Sequence, residues 1–166
     1  MNSYNFEKLS VLICDDSLQI RALVRTCLMA FGVTKITETS SAETAFEALV
    51  EATPDLLITD WNLGDSDGLD LVGRIRKSPE SPNPYLPIIM LTGHTEIERV
   101  IIARDAGVST FLAKPMSAKS LYKRLVSMVE DKRCFIRNSD FFGPDRRFNK
   151  KSDFGGDDRR HADAAA

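Results

Sequence analysis

Near the start of the chain stands Val11-Leu12-Ile13-Cys14-Asp15-Asp16-Ser17, a short apolar run that leads directly into two carboxylates and a hydroxyl. Apolar runs without polar alternation recur at residues 56–58, 88–91 and 110–112. Such runs are typical of strands that are covered on both faces, as in a parallel sheet. Residues 35–39 are a weaker candidate and are expected nearer an edge. The sequence therefore predicts a parallel sheet of five strands.

The segments between these runs have the spacing of amphipathic helices, with apolar residues three and four positions apart. Ser40 and Glu43 are spaced as a capping box at the start of the second helix, and Gly107 is expected to end the fourth. The predicted helices include residues 20–31, 42–50, 71–75, 97–101 and 121–129. Strand and helix thus alternate five times, which indicates a doubly wound α/β fold with helices on both faces of the sheet.

The residues that directly follow the predicted strands carry the candidate chemistry. In parallel α/β sheets, ligands bind beyond the carboxyl ends of the strands. Those ends carry Asp15 and Asp16, Asp60, Thr92 and Lys114. Three close carboxylates repel one another, and a hard divalent cation such as Mg²⁺ relieves the repulsion. Lys114 can neutralise a phosphoryl oxygen, Thr92 can donate a hydrogen bond to another, and an aspartate can accept the phosphoryl group covalently.

Each of these residues also has a plainer interpretation. An acidic pair after a strand often caps a helix, and a lone Thr or Lys at a strand end is commonly structural. The joint occurrence at four strand ends favours the phosphoryl and Mg²⁺ interpretation. An enzyme of the haloacid-dehalogenase type also combines an aspartate with Mg²⁺. That class needs a second Asp two residues after the nucleophile, where this chain has Asn62.

With these motifs in place, the sequence resembles the receiver domains of two-component response regulators over residues 8–131. The stretch Asp60-Trp61-Asn62, followed by Asp67-Gly68-Leu69, is similar to the chemotaxis regulators in particular. The resemblance implies a flavodoxin-like (βα)5 fold with the strand order 2-1-3-4-5. It also implies a cis peptide bond between Lys114 and Pro115.

The resemblance implies a role for each residue that matches the family motifs. Asp60 is the expected phosphoacceptor, and Lys114 is expected to contact the phosphoryl group. Thr92 and Phe111 are the expected hydroxyl and aromatic residues of the switch. The expected Mg²⁺ ligands are the side chains of Asp16 and Asp60 and the backbone carbonyl of Asn62, with Asp15 acting through water.

A protein of this kind is expected to transmit a signal rather than to turn over a free substrate. It is expected to catalyse only its own phosphorylation and dephosphorylation. The resemblance implies that a sensor histidine kinase or a histidine phosphotransfer protein supplies the phosphoryl group. An unknown downstream protein is expected to bind the surface of the fourth helix, fifth strand and fifth helix. The alternative is a phosphate shuttle or sink in a phosphorelay. The protein is expected to be a monomer or a phosphorylation-dependent dimer.

Composition and hydropathy also predict the cellular location of the protein. The chain is 43% hydrophobic and 28% charged, as globular proteins commonly are. Its apolar runs fall well short of the ~20 residues that a spanning helix needs. The first ten residues lack the pattern of a signal peptide, so a cytoplasmic location without membrane attachment is expected.

The last part of the chain, residues 132–166, differs in composition from the predicted domain at 8–131. It carries nine Lys and Arg residues against six Asp and Glu. Residues 140–147 recur, with an offset of 13, as residues 153–160, and both copies keep the pattern Asp-Phe-x-Gly-x-Asp-Arg-Arg. We expect a tail that is disordered or that binds a partner through its aromatic and arginine residues. DNA binding is not expected, because the basic residues are interspersed with aspartates.

Overall fold

A computed structural model describes residues 4–93, 97–131, 135–137 and 141–144. Strands and helices alternate as predicted, with two additional short strands before the third helix and two after the fifth. The strands are β1 (Ser10–Cys14), β2 (Lys35–Thr39), β3 (Leu56–Asp60), β4 (Asn62–Leu63), β5 (Ser66–Asp67), β6 (Ile88–Thr92), β7 (Thr110–Ala113), β8 (Phe135–Arg137) and β9 (Phe142–Pro144). The helices are α1 (Leu18–Ala30), α2 (Ala42–Ala52), α3 (Gly68–Lys77), α4 (Ile97–Ala106) and α5 (Ala118–Val129).

Five strands form one parallel sheet in the order β2-β1-β3-β6-β7. The short strands β4 and β5 pair only with each other. When the five strands of this sheet are numbered by themselves along the chain, their order is 2-1-3-4-5. The predicted flavodoxin-like topology is therefore confirmed. The inner strands β3 and β6 are buried along their whole length, whereas β2 lies at an edge and is only partly buried. This difference explains why the inner strands are uninterrupted apolar runs and the edge strand is not.

Helices cover both faces of the sheet, and alternate residues of β1 show the division. Leu12 packs in the core with α2, α3 and α4, whereas Ile13 packs in the core with α1 and α5. Successive strand side chains point to opposite faces, so one strand contributes to both cores. The doubly wound arrangement predicted from the alternation of strands and helices is therefore confirmed. In the part of the chain described above, no helix combines the length and apolar character needed to cross a bilayer.

The two predicted helix ends have different outcomes. Gly107 follows α4 in the left-handed conformation, at φ +104°, as expected for a helix-ending glycine. The prediction of a capping box at Ser40 and Glu43 is wrong by one residue. The cap is Ser41, whose hydroxyl accepts a hydrogen bond from the Thr44 N–H. The Glu43 carboxylate instead pairs with a guanidinium of α3, at 2.8 Å, so a tertiary contact replaces the predicted local one.

Two of the short strands lie beyond residue 131, where the sequence predicts the end of the domain. β8 and β9 pair antiparallel, and β9 contacts both α3 and α4. Phe141 and Phe142 are buried in these contacts. The composition of the tail does not indicate this ordered segment. The second copy of the tail repeat lies outside the described residues.

Alanine substitutions at two glycines of α3 test how the start of this helix packs. A Cβ at Gly68 would lie 2.1 Å from the Asp60 carbonyl oxygen, whereas a Cβ at Gly73 would meet open space. Gly68→Ala is therefore expected to lower the free energy of unfolding by about 1–3 kcal/mol. Gly73→Ala is expected to raise it by about 0.5–1 kcal/mol, because glycine is unfavourable inside a helix. Denaturant unfolding measures both, and a neutral Gly68→Ala variant would contradict the packing described here.

Candidate functional site

Polar side chains meet at the carboxyl edge of the sheet, where β1, β3, β6 and β7 end. Asp15 and Asp16 follow β1, and Asp60 is the last residue of β3. One carboxylate oxygen from each of these three residues lies within 4.8 Å of the others. Three acidic residues that are distant in sequence therefore form one cluster. The parallel sheet brings them together because neighbouring strands end at the same edge.

Lys114, which follows β7, bridges two of the three carboxylates. Its Nζ lies 3.0 Å from Asp60 Oδ1 and 3.2 Å from Asp15 Oδ2. Its backbone N–H donates to the Thr92 carbonyl at 2.8 Å, and the Lys114–Pro115 peptide bond is cis, as the resemblance implies. One ammonium cannot neutralise three carboxylates, so the cluster keeps an excess of negative charge.

Asp15 and Asp16 differ in how tightly the protein holds them. Asp15 is completely buried, and its Oδ1 accepts a hydrogen bond from the Ser17 N–H at 2.8 Å. Its carbonyl oxygen accepts another from Arg21 Nη1 at 2.6 Å. Asp16 is exposed to solvent. The buried carboxylate is thus fixed in place, while the exposed one can exchange ligands with solvent.

Asp60 is held by main-chain and side-chain donors and is almost completely buried. Its Oδ1 accepts a hydrogen bond from the Trp61 N–H at 2.8 Å, in addition to the Lys114 contact. Burial raises the pKa of Asp60 above its ordinary value, and Lys114 reverses only part of that change. Burial alone would lower the pKa of Lys114, but its contacts with Asp60 and Asp15 raise it instead. In this pair, burial disfavours the charged form of the Asp60 carboxyl, whereas the neighbouring carboxylates favour the protonated form of Lys114.

The remaining predicted site residues lie on β6, β7 and β4. Thr92 ends β6 and is buried, and Phe111 in β7 is partly buried against the core. Asn62 is exposed and starts β4, where it pairs with Asp67 of β5. Thr92 thus lies on the strand next to that of Asp60, Phe111 lies one strand further along the sheet, and Asn62 follows Asp60 by two residues. Their roles in a switch or as a metal ligand stay predictions.

The acidic cluster suits a hard divalent cation. The candidate ligand atoms are all carboxylate oxygens, which Mg²⁺ and Ca²⁺ prefer over softer metals. The exposed position of Asp16 leaves the cluster open on one side to solvent. Mg²⁺ commonly uses one or two carboxylates and keeps several waters, so the observed residues fit this ion.

Sequence reasoning missed the packing around Trp61. This residue is buried, and the Arg99 guanidinium carbon lies 5.8 Å from the centre of its ring. The Trp61 carbonyl accepts a 2.6 Å hydrogen bond from the Gly68 N–H. Trp61 stands within the motif quoted for the family resemblance, but no local pattern shows that α4 reaches it. The contact depends on how α4 packs against the sheet.

The doubly wound sheet and the acidic cluster beside a lysine define a flavodoxin-like domain with a candidate metal site at its carboxyl edge. Comparison with known families is more specific. Residues 11–126 match the response regulator receiver domain, so the chain belongs to that family.

Individual relatives agree with this assignment and with the predicted likeness to chemotaxis regulators. The chain is 32% identical over 124 residues to the chemotaxis protein CheY-3 of Vibrio cholerae, an alignment covering 75% of this chain and 94% of the relative. It is 30% identical over 122 residues to the chemotaxis protein CheY of Pseudomonas aeruginosa, covering 74% and 97%. A solved structure of a putative response regulator from Chloroflexus aurantiacus matches with a TM-score of 0.68 and 30% identity, covering 74% of this chain and 98% of that one.

The raised pKa of Asp60 predicts a pH-dependent effect of Asp60→Asn on stability. The unfolded chain releases this proton at about pH 4, whereas the folded protein retains it to higher pH. As pH rises through that window, the wild type loses stability that the uncharged variant keeps. The stability gain of Asp60→Asn is therefore expected to grow from acidic to neutral pH in metal-free buffer.

Denaturant unfolding across that pH range measures the difference. The matched control is Asp65→Asn, because Asp65 is an exposed aspartate in the nearby turn between β4 and β5. A gain for Asp60→Asn that does not change with pH, or that is largest in acid, would contradict the burial argument.

Proposed function

We propose that this protein is a phosphorylation-controlled signalling domain whose phosphoacceptor is Asp60. The observation that supports this most is the position of Lys114 Nζ, 3.0 Å from Asp60 Oδ1 and beside the carboxylates of Asp15 and Asp16. Phosphoryl transfer requires positioned groups and neutralised charge more than it requires additional covalent chemistry. Membership of the receiver family, over residues 11–126, supports the same function.

In the proposed reaction, an oxygen of the Asp60 carboxylate attacks the phosphorus atom of a phosphohistidine. A phosphorus–oxygen bond to Asp60 forms as the phosphorus–nitrogen bond breaks, and the imidazole leaves with the electron pair. The donor is a sensor histidine kinase or a histidine phosphotransfer protein, and the reaction takes place in the cytoplasm. Lys114 already faces the attacking carboxylate, so it is positioned to contact a transferred phosphoryl oxygen. The Trp61 N–H fixes the carboxylate by its 2.8 Å hydrogen bond to Oδ1.

The acidic cluster is the proposed Mg²⁺ site. Asp16, the Asp60 side chain and the Asn62 carbonyl would hold the ion, and Asp15 would act through water. When bound, Mg²⁺ neutralises negative charge on the transferring phosphoryl group. Asp15 is buried and fixed by its hydrogen bond from Ser17, so its side chain stays in place beside the proposed ion site.

The proposed output is a change of surface. Phosphorylation replaces the single negative charge of the Asp60 carboxylate with about two negative charges on the phosphoryl group. The Thr92 hydroxyl would then donate to a phosphoryl oxygen, and Phe111 would turn inward into the space that Thr92 leaves. This change biases the surface of α4, β7 and α5 toward a protein-binding conformation. Ile101 and Ile102 of α4 are exposed apolar residues, which suits contact with a downstream protein.

The phosphoacceptor assignment predicts that Asp60→Asn abolishes phosphoryl incorporation from a small phosphodonor such as acetyl phosphate. The amide cannot form the acyl phosphate, because it lacks the nucleophilic carboxylate. Intact-mass measurement in the presence of Mg²⁺ gives the result directly. Asp65→Asn, at an exposed loop aspartate, is the control and should incorporate the phosphoryl group normally. Full incorporation by Asp60→Asn would contradict the assignment.

The metal assignment predicts that Asp16→Ala weakens Mg²⁺ binding by at least about tenfold, because a direct ligand is lost. Asp16 is exposed, so the fold should survive the substitution. The single tryptophan, Trp61, adjoins the phosphoacceptor and reports binding through its fluorescence. Asp65→Ala serves as the control, and equal affinities for the two variants would argue against this site.

A further inference from the structure

The tail segment that packs on the domain contributes to an aromatic cluster. We call Phe135–Arg137 together with Phe141–Pro144 the tail strap. The Tyr85 ring lies 5.3 Å from the rings of both Phe135 and Phe142, in nearly perpendicular orientations. Edge-to-face pairs of this geometry add stability beyond the area that they bury. The strap is therefore seated on the loop before β6 by specific ring contacts.

The backbone of the strap approaches the domain closely at two glycines. A Cβ on Gly143 would lie 2.9 Å from the Gly107 Cα, and a Cβ on Gly107 would lie 2.7 Å from the Phe142 carbonyl oxygen. Real side chains do not tolerate such distances from backbone atoms. The contact thus requires glycine on both sides, and it places the strap directly against the residue that ends α4.

A buried arginine joins the same place to α3. Arg76 is only 1% exposed, and its Nε and Nη2 donate to the Gly107 carbonyl at 3.1 and 2.9 Å. Its Nη1 donates to the Pro84 carbonyl at 2.8 Å, and its guanidinium carbon lies 5.1 Å from the Phe135 ring centre. Burial lowers the pKa of Arg76 to about 9. The strap ring therefore covers a cation that links the ends of α3 and α4.

Both helices that meet the strap also reach the phosphoacceptor. On α4, Arg99 lies over the ring of Trp61, whose N–H binds Asp60. On α3, the first residue, Gly68, packs against the Asp60 carbonyl. The strap meets the opposite ends of these helices, near the amino ends of β6 and β7. Two packed helices therefore connect Asp60 to the tail.

We propose that the tail strap is an intramolecular clamp on the end of α4, and that strap docking and phosphorylation of Asp60 oppose each other. The strap is seated on the conformation in which Lys114 Nζ pairs directly with Asp60 Oδ1, at 3.0 Å. A segment that binds one conformation shifts the equilibrium toward it. If phosphorylation repositions α4, as the proposed function holds, the docked strap disfavours that change. By linkage, phosphorylation weakens strap docking by the same factor.

The clamp is tested in the full chain with Gly143→Val. Gly143 has a backbone conformation that other residues can adopt, so the substitution acts through its clash with Gly107 and the Phe141 ring. Hydrogen exchange is expected to quicken at residues 141–144 and at the end of α4. With Mg²⁺ present, the affinity for beryllofluoride, a phosphoryl analogue, is expected to rise about fivefold, as followed by Trp61 fluorescence.

The matched control is Gly156→Val, the equivalent position in the second copy of the tail repeat. It should leave both the exchange and the beryllofluoride affinity of the wild type unchanged. Exchange in Gly143→Val that equals the wild type would overturn the docking. Released docking with an unchanged or weaker beryllofluoride affinity would overturn the coupling. An equal rise in affinity in Gly156→Val would show that the effect is not specific to the strap.

The reciprocal experiment uses the wild type, so its result does not depend on whether a variant folds. Addition of Mg²⁺ and beryllofluoride is expected to quicken exchange at residues 141–144. Trp61 fluorescence in the same sample shows whether the analogue has bound. A fluorescence response with unchanged strap exchange would overturn the clamp and leave the proposed function standing. Absence of any fluorescence response, together with absence of phosphoryl incorporation, would instead overturn the proposed function.

Discussion

The structure depends on one electrostatic constraint: three carboxylates share the carboxyl edge of the sheet with a single ammonium. Asp15 and Asp60 are buried there, and Lys114 contacts both of them at 3.0–3.2 Å. Removing carboxylates from water disfavours their charged forms, and their mutual repulsion adds to the effect. The pKa of Asp60 is raised despite the contact with Lys114, so the lysine does not fully offset the effect of burial. Additional positive charge is therefore favoured at this edge. We propose that a divalent cation binds there and that a phosphoryl group is then transferred to Asp60.

The rest of the fold holds this edge in position. β3 and β6 are buried along their length, and helices on both faces fix where each strand ends. Gly68 allows α3 to start against the Asp60 carbonyl, and the Arg99 guanidinium of α4 lies over the Trp61 ring. These contacts make Asp60 part of the packed structure rather than an isolated surface group. They also give a physical route by which a change at Asp60 can reach the far ends of α3 and α4.

Much of the fold could be predicted because local sequence patterns determine it. The uninterrupted runs at β3 and β6 reflect burial on both faces, and Asp15, Asp60 and Lys114 could be predicted because each lies at the carboxyl end of a strand or directly after it. The cap of α2 lies one residue later than predicted, because the adjacent Ser41 is an equally suitable capping residue and its hydroxyl accepts from the Thr44 N–H. The burial of Arg76 had no local signal, since its partners are carbonyls distant in sequence. The tail strands escaped prediction for the same reason: their few residues depend on Tyr85 and Gly107 for a place to pack.

Chemical mapping of the phosphorylated wild-type residue tests the central claim most directly. Borohydride reduces an acyl phosphate of aspartate to homoserine, which peptide mass spectrometry can locate in the chain. After incubation with acetyl phosphate and Mg²⁺, the account predicts homoserine at position 60 and none at positions 15 or 16. Reduction confined to another aspartate, or a stable phosphoryl group that resists borohydride, would contradict it.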